Sequence, residues 1–151
     1  MPKITTFLWF DGNAEEAINL YTSIFKNSKI LSMSRVGGEF FTATFELEGQ
    51  QFMALNGGPM FKFTEAISLF VSCETQEEVD DLWTKLCEGG SPGRCGWLKD
   101  KFGLSWQIIP TTLGRLLADK DAVKSQRVMQ AMLQMGKLDI QKLQQAYDAP
   151  V

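Results

Sequence analysis

Apolar and polar positions along the chain switch between two periods, and the switches outline a set of elements. Residues 6–10, TFLWF, are rich in β-formers and stop at Asp11-Gly12-Asn13, a turn in which Asn13 or Asp11 can act as a helix N-cap. Ala14, Ala17, Ile18, Tyr21, Ile24 and Phe25 then recur at helical spacing, with Glu15 and Glu16 at the positive end of the helix dipole. Three strands are expected next, over about 29–36, 39–47 and 51–56. In the middle one Phe41, Ala43, Phe45 and Leu47 alternate with Thr42, Thr44 and Glu46, the period of two that places each set on its own face of a sheet. Glu48-Gly49 supplies a tight turn into the third. The order is β-α-β-β-β.

After the Gly-Gly-Pro break at 57–59 the order restarts. An apolar strand, AISLFVS, covers 66–72, and a helix follows in which Val79, Leu82, Trp83, Leu86 and Cys87 share one face. The two helices also match residue by residue. EEAINLYT (15–22) and EEVDDLWT (77–84) share both glutamates, the leucine and the threonine, with an aromatic at Tyr21 and Trp83, which points to an internal repeat. Residues 95–110, CGWLKDKFGLSWQIIP, close the second unit as a hairpin: GWLK is a strand, Asp100 to Gly103 the connection, and LSWQIIP the last strand, stopped by Pro110. In that strand Leu104, Trp106 and Ile108 point one way while Ser105, Gln107 and Ile109 point the other, and the Asp100-Lys101 pair reads as hairpin surface.

The remainder reads as helical. TTLGRLLAD (111–119) is a short helix, Asp119 or Asp121 caps a longer one reaching about Met135, and Gly136 ends it as a C-cap. Asp139 caps a final helix to about Ala149. Met129, Met132 and Met135 at i, i+3 and i+6 are expected to pack against a sheet or a partner.

Composition narrows the function. With 151 residues, 44% of them hydrophobic, the chain can bury one sizeable core, so a single domain over 1–151 is expected: module 1 about 4–58, module 2 about 64–110 and C-terminal helices about 111–149. A formal charge of −3 and scattered Lys and Arg give no basic field, which argues against a nucleic-acid partner. No apolar run is long enough to cross a bilayer, and MPKITTFLWFDGNAEE lacks the features of a secretory leader, so a cytoplasmic protein with no membrane partner is expected. Cys73, Cys87 and Cys95 are widely spaced without a Cys-x-x-Cys pair and read as buried free thiols. Histidine is absent. That excludes a serine or cysteine nucleophile activated by imidazole and removes the commonest transition-metal ligand.

Paired β-α-β-β-β units resemble the vicinal oxygen chelate superfamily of glyoxalase I, bleomycin-resistance proteins and extradiol dioxygenases. More closely, FLWFDGNAEEAINLYTSIFKNSKI, FMALNGGPMFKFTEAISLFVSC, CGWLKDKFGLSWQIIP and KSQRVMQAMLQMGKLDI resemble the PhnB-like family, whose members often carry the label of 3-demethylubiquinone 3-methyltransferase domain proteins. The resemblance implies an α+β fold: two βαβββ modules forming a glyoxalase/bleomycin-resistance-like curved mixed sheet around a cavity, with C-terminal helices and a homodimer that shares or exchanges modules. Enzymes of the superfamily hold a divalent metal with His and Glu, one on the first and one on the last strand of each module. Those slots hold Ile4, Met53, Ala66 and Gln107 here, to within about one residue, and Met60 stands where relatives carry the histidine of GGPHF. None is a strong ligand, so no metal is expected. The label's methyl transfer calls for a Gly-rich turn between a strand and a helix, and Asp11-Gly12-Asn13-Ala14 is an ordinary turn, so no cofactor is expected either.

A binding site is then expected in the concavity between modules, lined by Trp9, Phe41, Asn56, Met60, Phe61, Phe63, Phe70, Trp97 and Gln107, a set suited to a flat apolar or aromatic ligand oriented by one or two hydrogen bonds. The alternative is that the aromatics fill the hollow themselves. Lys99 and Arg94 could add an anion contact, while Glu46, Glu48 and Glu65 are the candidate carboxylates. Three functions stand open: a metal-independent homodimer binding a small apolar ligand, an enzyme acting on an aromatic or quinone-like substrate as the family label has it, and a ligand-free dimeric interaction module.

Overall fold

A computed structural model of the chain describes residues 2–150. Its elements are β1 (Thr6–Phe10), α1 (Ala14–Ile24), β2 (Ser28–Val36), β3 (Glu39–Leu47), β4 (Gln50–Asn56), β5 (Ser68–Cys73), α2 (Gln76–Cys87), β6 (Ser91–Pro92), β7 (Trp97–Lys99), β8 (Ser105–Pro110), α3 (Thr111–Leu117), α4 (Ala122–Leu133) and α5 (Ile140–Asp148). They fall into two compact units that divide between Phe63 and Thr64. Each unit carries a four-stranded mixed sheet, in the orders β1-β4-β3-β2 and β5-β8-β7-β6.

In the first unit β1 runs parallel to β4, and the rest of the sheet is antiparallel. The expected alternation decides the faces. Leu8, Ala54 and Ala43 stand in one row across three strands, and together with Phe10, Phe45 and Phe52 they are buried, as are Ala14, Ala17, Ile18 and Tyr21 of α1. Phe45 and Phe52 stack at 5.4 Å, adding ring-ring attraction to the burial of apolar surface that holds helix and sheet together. Glu48 and Gly49 take positive φ angles of 49° and 85°, as a two-residue hairpin with the right twist requires. Register shifts leave Leu31 of β2 and Phe41 of β3 outside the paired rows, so each is the extra residue of a bulge.

The α1 cap departs from expectation. Asn13 occupies the N-cap position but makes no side-chain capping bond. Asn56 Oδ1 accepts the Ala14 N–H instead, at 2.9 Å, because the pairing of Phe10 with Asn56 brings the end of β4 beside the start of the helix.

In the second unit β5 is parallel to β8, and β7 and the short β6 complete the sheet. Cys73, Leu98, Leu104, Trp106 and Ile108 are buried with Val79, Leu82 and Leu86 of α2. Asp100 corrects the sequence reading, since it is not surface: only 2% exposed, its Oδ1 accepts the N–H groups of Phe102 and Leu104 and its Oδ2 accepts Trp106 Nε1–H at 2.9 Å. The hairpin turn folds over the ring it precedes, and the carboxylate satisfies donors that the turn and the indole bring inside.

The C-terminal helices share a core of Ile109, Leu113, Leu116, Val128, Leu138 and Leu143, with Met132 and Met135 packed against it, while Met129 is exposed. Asp121 caps α4 and Asp139 caps α5 through their carboxylates. Helix α4 ends at Leu133 with Gln134 as its C-cap, earlier than expected, and Gly136 does not take the left-handed conformation of a terminating glycine. No helix among the described residues is long and apolar enough to cross a membrane.

Candidate ligand-binding site

Because α1 and α2 each cover one face of their sheet, the sheet face that can meet a ligand is the opposite one. In the first unit that face presents the row Phe7, Met53, Thr44 and the row Trp9, Leu55, Thr42. Phe7 is half exposed, but Trp9 is occupied by its own chain. Its Nε1–H donates to the Gly58 carbonyl at 2.9 Å, and Phe61 meets the indole edge-on at 4.9 Å. A Cβ on Gly57 would lie 2.4 Å from the indole, so the close approach of backbone to ring requires glycine there.

The other first-module candidates disperse. Phe63 packs edge-on against Phe10, whose ring is buried on the helix side. Asn56 is used as the α1 cap. Phe41 sits at its bulge, 45% exposed, and Met60 is 77% exposed in the segment after β4. Of the set named from the sequence in this module, Trp9 and Phe61 meet ring to ring.

The second unit keeps its candidates together. Register places Phe70, Gln107 and Trp97 side by side on β5, β8 and β7, on the face away from α2. The neighbouring row is Ser68, Ser105 and Lys99. Gln107 Nε2–H donates to Ser68 Oγ at 2.9 Å, which fixes the amide and leaves its carbonyl oxygen and the serine O–H for a further partner. Ser105 is 1% exposed and its hydroxyl has no hydrogen-bond partner. Lys99 Nζ forms an ion pair with Glu65, and that hydrogen bond holds the Glu65 carboxyl below its ordinary range. The result is an open ring of 60% exposed phenylalanine and a half-buried indole on either side of one oriented amide.

The chemistry available is limited by the donors. Met53 and Gln107 both stand four residues beyond a turn glycine, Gly49 and Gly103, on the faces away from the helices, and they are the two metal slots that fall within strands. Ile4 precedes β1 and is 90% exposed, while Ala66 precedes β5. A thioether and a neutral amide do not make a divalent-metal site, and no cluster of three or more His, Cys, Asp or Glu residues able to hold an ion occurs among the described residues. The donor set does not fit the metal of the superfamily's enzymes. Nor does a thiol offer a nucleophile on the α2 side: burial pushes Cys73 up to about 12, with Glu78 and Glu74 adding repulsion.

Sequence alternation had separated Gln107 from Trp106, and it could equally have paired Ser68 with Phe70, since residues two apart on a strand share a face. The unpartnered Ser105 hydroxyl had no local signal. It emerges only when strands on both sides are in place.

Comparison with known proteins gives a consistent picture. The sequence model of the family described as 3-demethylubiquinone-9 3-methyltransferase matches residues 2–109. A PhnB protein from Bacillus cereus is 44% identical, with a TM-score of 0.69, over 72% of this chain and 99% of that one. A protein from Pseudomonas aeruginosa is 20% identical over 73% and 98% of the two chains, with a TM-score of 0.59. The fosfomycin resistance protein FosX of Listeria monocytogenes, solved with Mn(II) and sulfate, is 13% identical over 70% and 89%, with a TM-score of 0.53, a likeness of fold. The comparison with curated proteins found no match.

Proposed function

Since the chain belongs to the 3-demethylubiquinone-9 3-methyltransferase family, the PhnB-like branch of the vicinal oxygen chelate superfamily, we propose that it binds a small, flat, largely apolar ligand without a metal. The observation that carries this reading is the row Phe70, Gln107, Trp97, in which two rings flank an amide already oriented by Ser68. Rings of this kind stack on an aromatic ligand, and a single fixed amide sets its orientation rather than its affinity. The methyl transfer in the family's description finds no support in the residues. The β1–α1 turn has a single glycine, and the Ala14 N–H at the start of α1 is already taken by Asn56.

We further propose a homodimer in the cytoplasm. Ile30, Leu31, Met33 and Val36 are exposed along the edge strand β2, an apolar run that a second copy would cover. Three free cysteines suit a reducing compartment. Light scattering coupled to size exclusion gives the mass directly, and a monomer at micromolar concentration rejects the dimer.

Thermal shift with a panel of aromatic compounds tests the binding. A ligand at one hundred times its Kd adds about 2.7 kcal/mol to the native state. The melting temperature should therefore rise by several degrees for at least one aromatic compound, and Trp97→Ala should abolish the rise. Stabilisation by micromolar nickel or zinc in tag-free protein, or no response to any aromatic compound, would overturn the reading.

A further inference from the structure

The family match ends at residue 109, so α3, α4 and α5 lie beyond it. We propose that the connection between α4 and α5, residues 134–139, is a positioning element for Trp97, which makes the added helices part of the ring platform on the second sheet. This inference rests on the reading of Phe70, Gln107 and Trp97 as a ligand face.

Trp97 is presented by a short loop from Gly93 to Gly96 with an unusual backbone. Cys95 has a φ of +59° and Gly96 of +85°, two consecutive left-handed residues, the first of which carries a side chain that disfavours the conformation. Such a conformation persists only when its surroundings hold it. Here the holders are two carbonyls of the α4–α5 connection: Cys95 N–H donates to Met135 O at 2.8 Å and Gly96 N–H to Gly136 O at 2.9 Å. A third bond, from Ile108 N–H to Gly96 O at 2.8 Å, joins the loop to β8, and Gly93 N–H closes it onto Trp97 O.

Packing reinforces the same contact. A Cβ at Gly96 would lie 2.7 Å from Ile109 Cδ1 and 3.1 Å from Leu138 Cδ1, so side chains of β8 and of the connection crowd the loop where Gly96 has none. Gly136 passes so near that its own Cβ would stand 3.3 Å from Gly93 O. The connection is itself tied to α2. Gln76 Nε2 donates to Leu138 O, Gln76 Oε1 accepts Ile140 N–H at 2.7 Å, and Lys137 pairs with Asp80. A chain of direct bonds thus runs from α2 through residues 137–140 and 135–136 to the residue before Trp97.

Fluorine NMR on the full-length protein labelled with 5-fluorotryptophan tests this without a ligand. Four tryptophans give four resonances, and Trp97→Phe assigns one. Gly136→Ala, whose Cβ would stand 3.3 Å from Gly93 O and ask a few tenths of an ångström of the loop, should shift or broaden the Trp97 resonance and leave those of Trp9, Trp83 and Trp106 in place. Gln76→Ala is the milder second variant, since it touches neither Met135 nor Gly136: it removes the acceptor for Ile140 N–H and the donor to Leu138 O, together with the bond to Asp80 Oδ1, and should move the same resonance by less. An unmoved Trp97 resonance in both variants, or equal movement of all four in the milder one, overturns the inference.

Binding of 2-naphthol supplies the second arm. Gly136→Ala should weaken it about tenfold, the loss of a ring contact, and should add nothing in a Trp97→Ala background. Additive losses overturn the positioning role while leaving the platform intact. If wild type and Trp97→Ala bind 2-naphthol equally, the platform reading fails, and the fluorine spectra alone decide whether the connection positions the ring.

Discussion

Removing the Asp100 carboxylate tests how the second hairpin is held. Asp100 is 2% exposed and accepts three hydrogen bonds, from Phe102 N–H, Leu104 N–H and Trp106 Nε1–H, at 2.9 to 3.0 Å. Phe102 is part-buried, and water can replace the lost acceptor there. Leu104 and Trp106 are each 2% exposed, so Asp100→Ala takes the acceptor from two buried donors. Each buried donor deprived of its partner costs about 1–3 kcal/mol, so the variant should lose about 4 kcal/mol, a large share of the roughly 5–15 kcal/mol that holds a domain folded. Asp100→Asn keeps one carbonyl oxygen but turns an NH2 group toward either the indole or the two backbone donors, and should cost about 2 kcal/mol. Lys101→Ala, one residue along and exposed, with its ammonium 5.7 Å from the Phe102 ring, should cost no more than about 1 kcal/mol. Urea unfolding followed by tryptophan emission measures all three. If both Asp100 variants stay within about 0.5 kcal/mol of wild type at unchanged m-value, the carboxylate is surface after all, and the buried network is refuted.

Three further outcomes follow from named contacts. Asn56→Ala should cost about 1 kcal/mol in urea, and Asn56→Asp should restore most of it, because the residue caps α1 through Oδ1; loss of aromatic-ligand stabilisation with no loss of stability would instead return it to the binding face. Cys73, raised to about 12 by burial, should resist iodoacetamide at pH 8 in the native protein and react once it is unfolded, as read by mass spectrometry. Its folded value lies above the unfolded one of about 8.5, so its contribution to stability is complete below that pH and is lost as pH rises toward the folded value. Tyr147 O–H donates to Asp119 Oδ2 at 2.6 Å, which lowers the Asp119 carboxyl and raises the Tyr147 phenol. The Asp119 contribution is present above about pH 4 and lost as pH falls through its depressed folded value; the Tyr147 contribution is present below about pH 10 and lost as pH rises through its elevated one. Tyr147→Phe should flatten both limbs of the urea midpoint against pH, and unchanged limbs would show that the pair does not hold α5 to the segment before α4.

The elements were legible because their signals are local. Alternation over residues 39–47 gave β3 with its bounds, Asp139 marked the start of α5, and Glu48-Gly49 marked a hairpin that the positive φ angles bear out. The repeated β-α-β-β-β order appears as two sheets with matching strand orders. Two-residue β6 left no periodicity to read, and Gly136 looked like a helix terminator because a glycine after an apolar helix usually is one.

Amino-acid order by itself determined which face of a strand a residue would occupy wherever pairing is regular, since that depends on counting by two along the chain. At the bulge of β3 the count slips, so that Phe40 is buried and Phe41, expected on the face of Ala43 and Phe45, is exposed. Order alone could not determine what lies beside a residue, because neighbours across a sheet come from the register of distant strands. Parallel pairing of β5 with β8 is what sets Phe70 against Gln107, and the pairing of β1 with β4 is what carries Asn56 to the start of a helix 42 residues away in sequence. Asp100 belongs to the same class: a charged turn residue reads as surface until the fold places an indole N–H and two backbone donors around it. Chain geometry fixes direction locally, whereas hydrogen-bond partners and burial exist only once separate segments have been brought into contact.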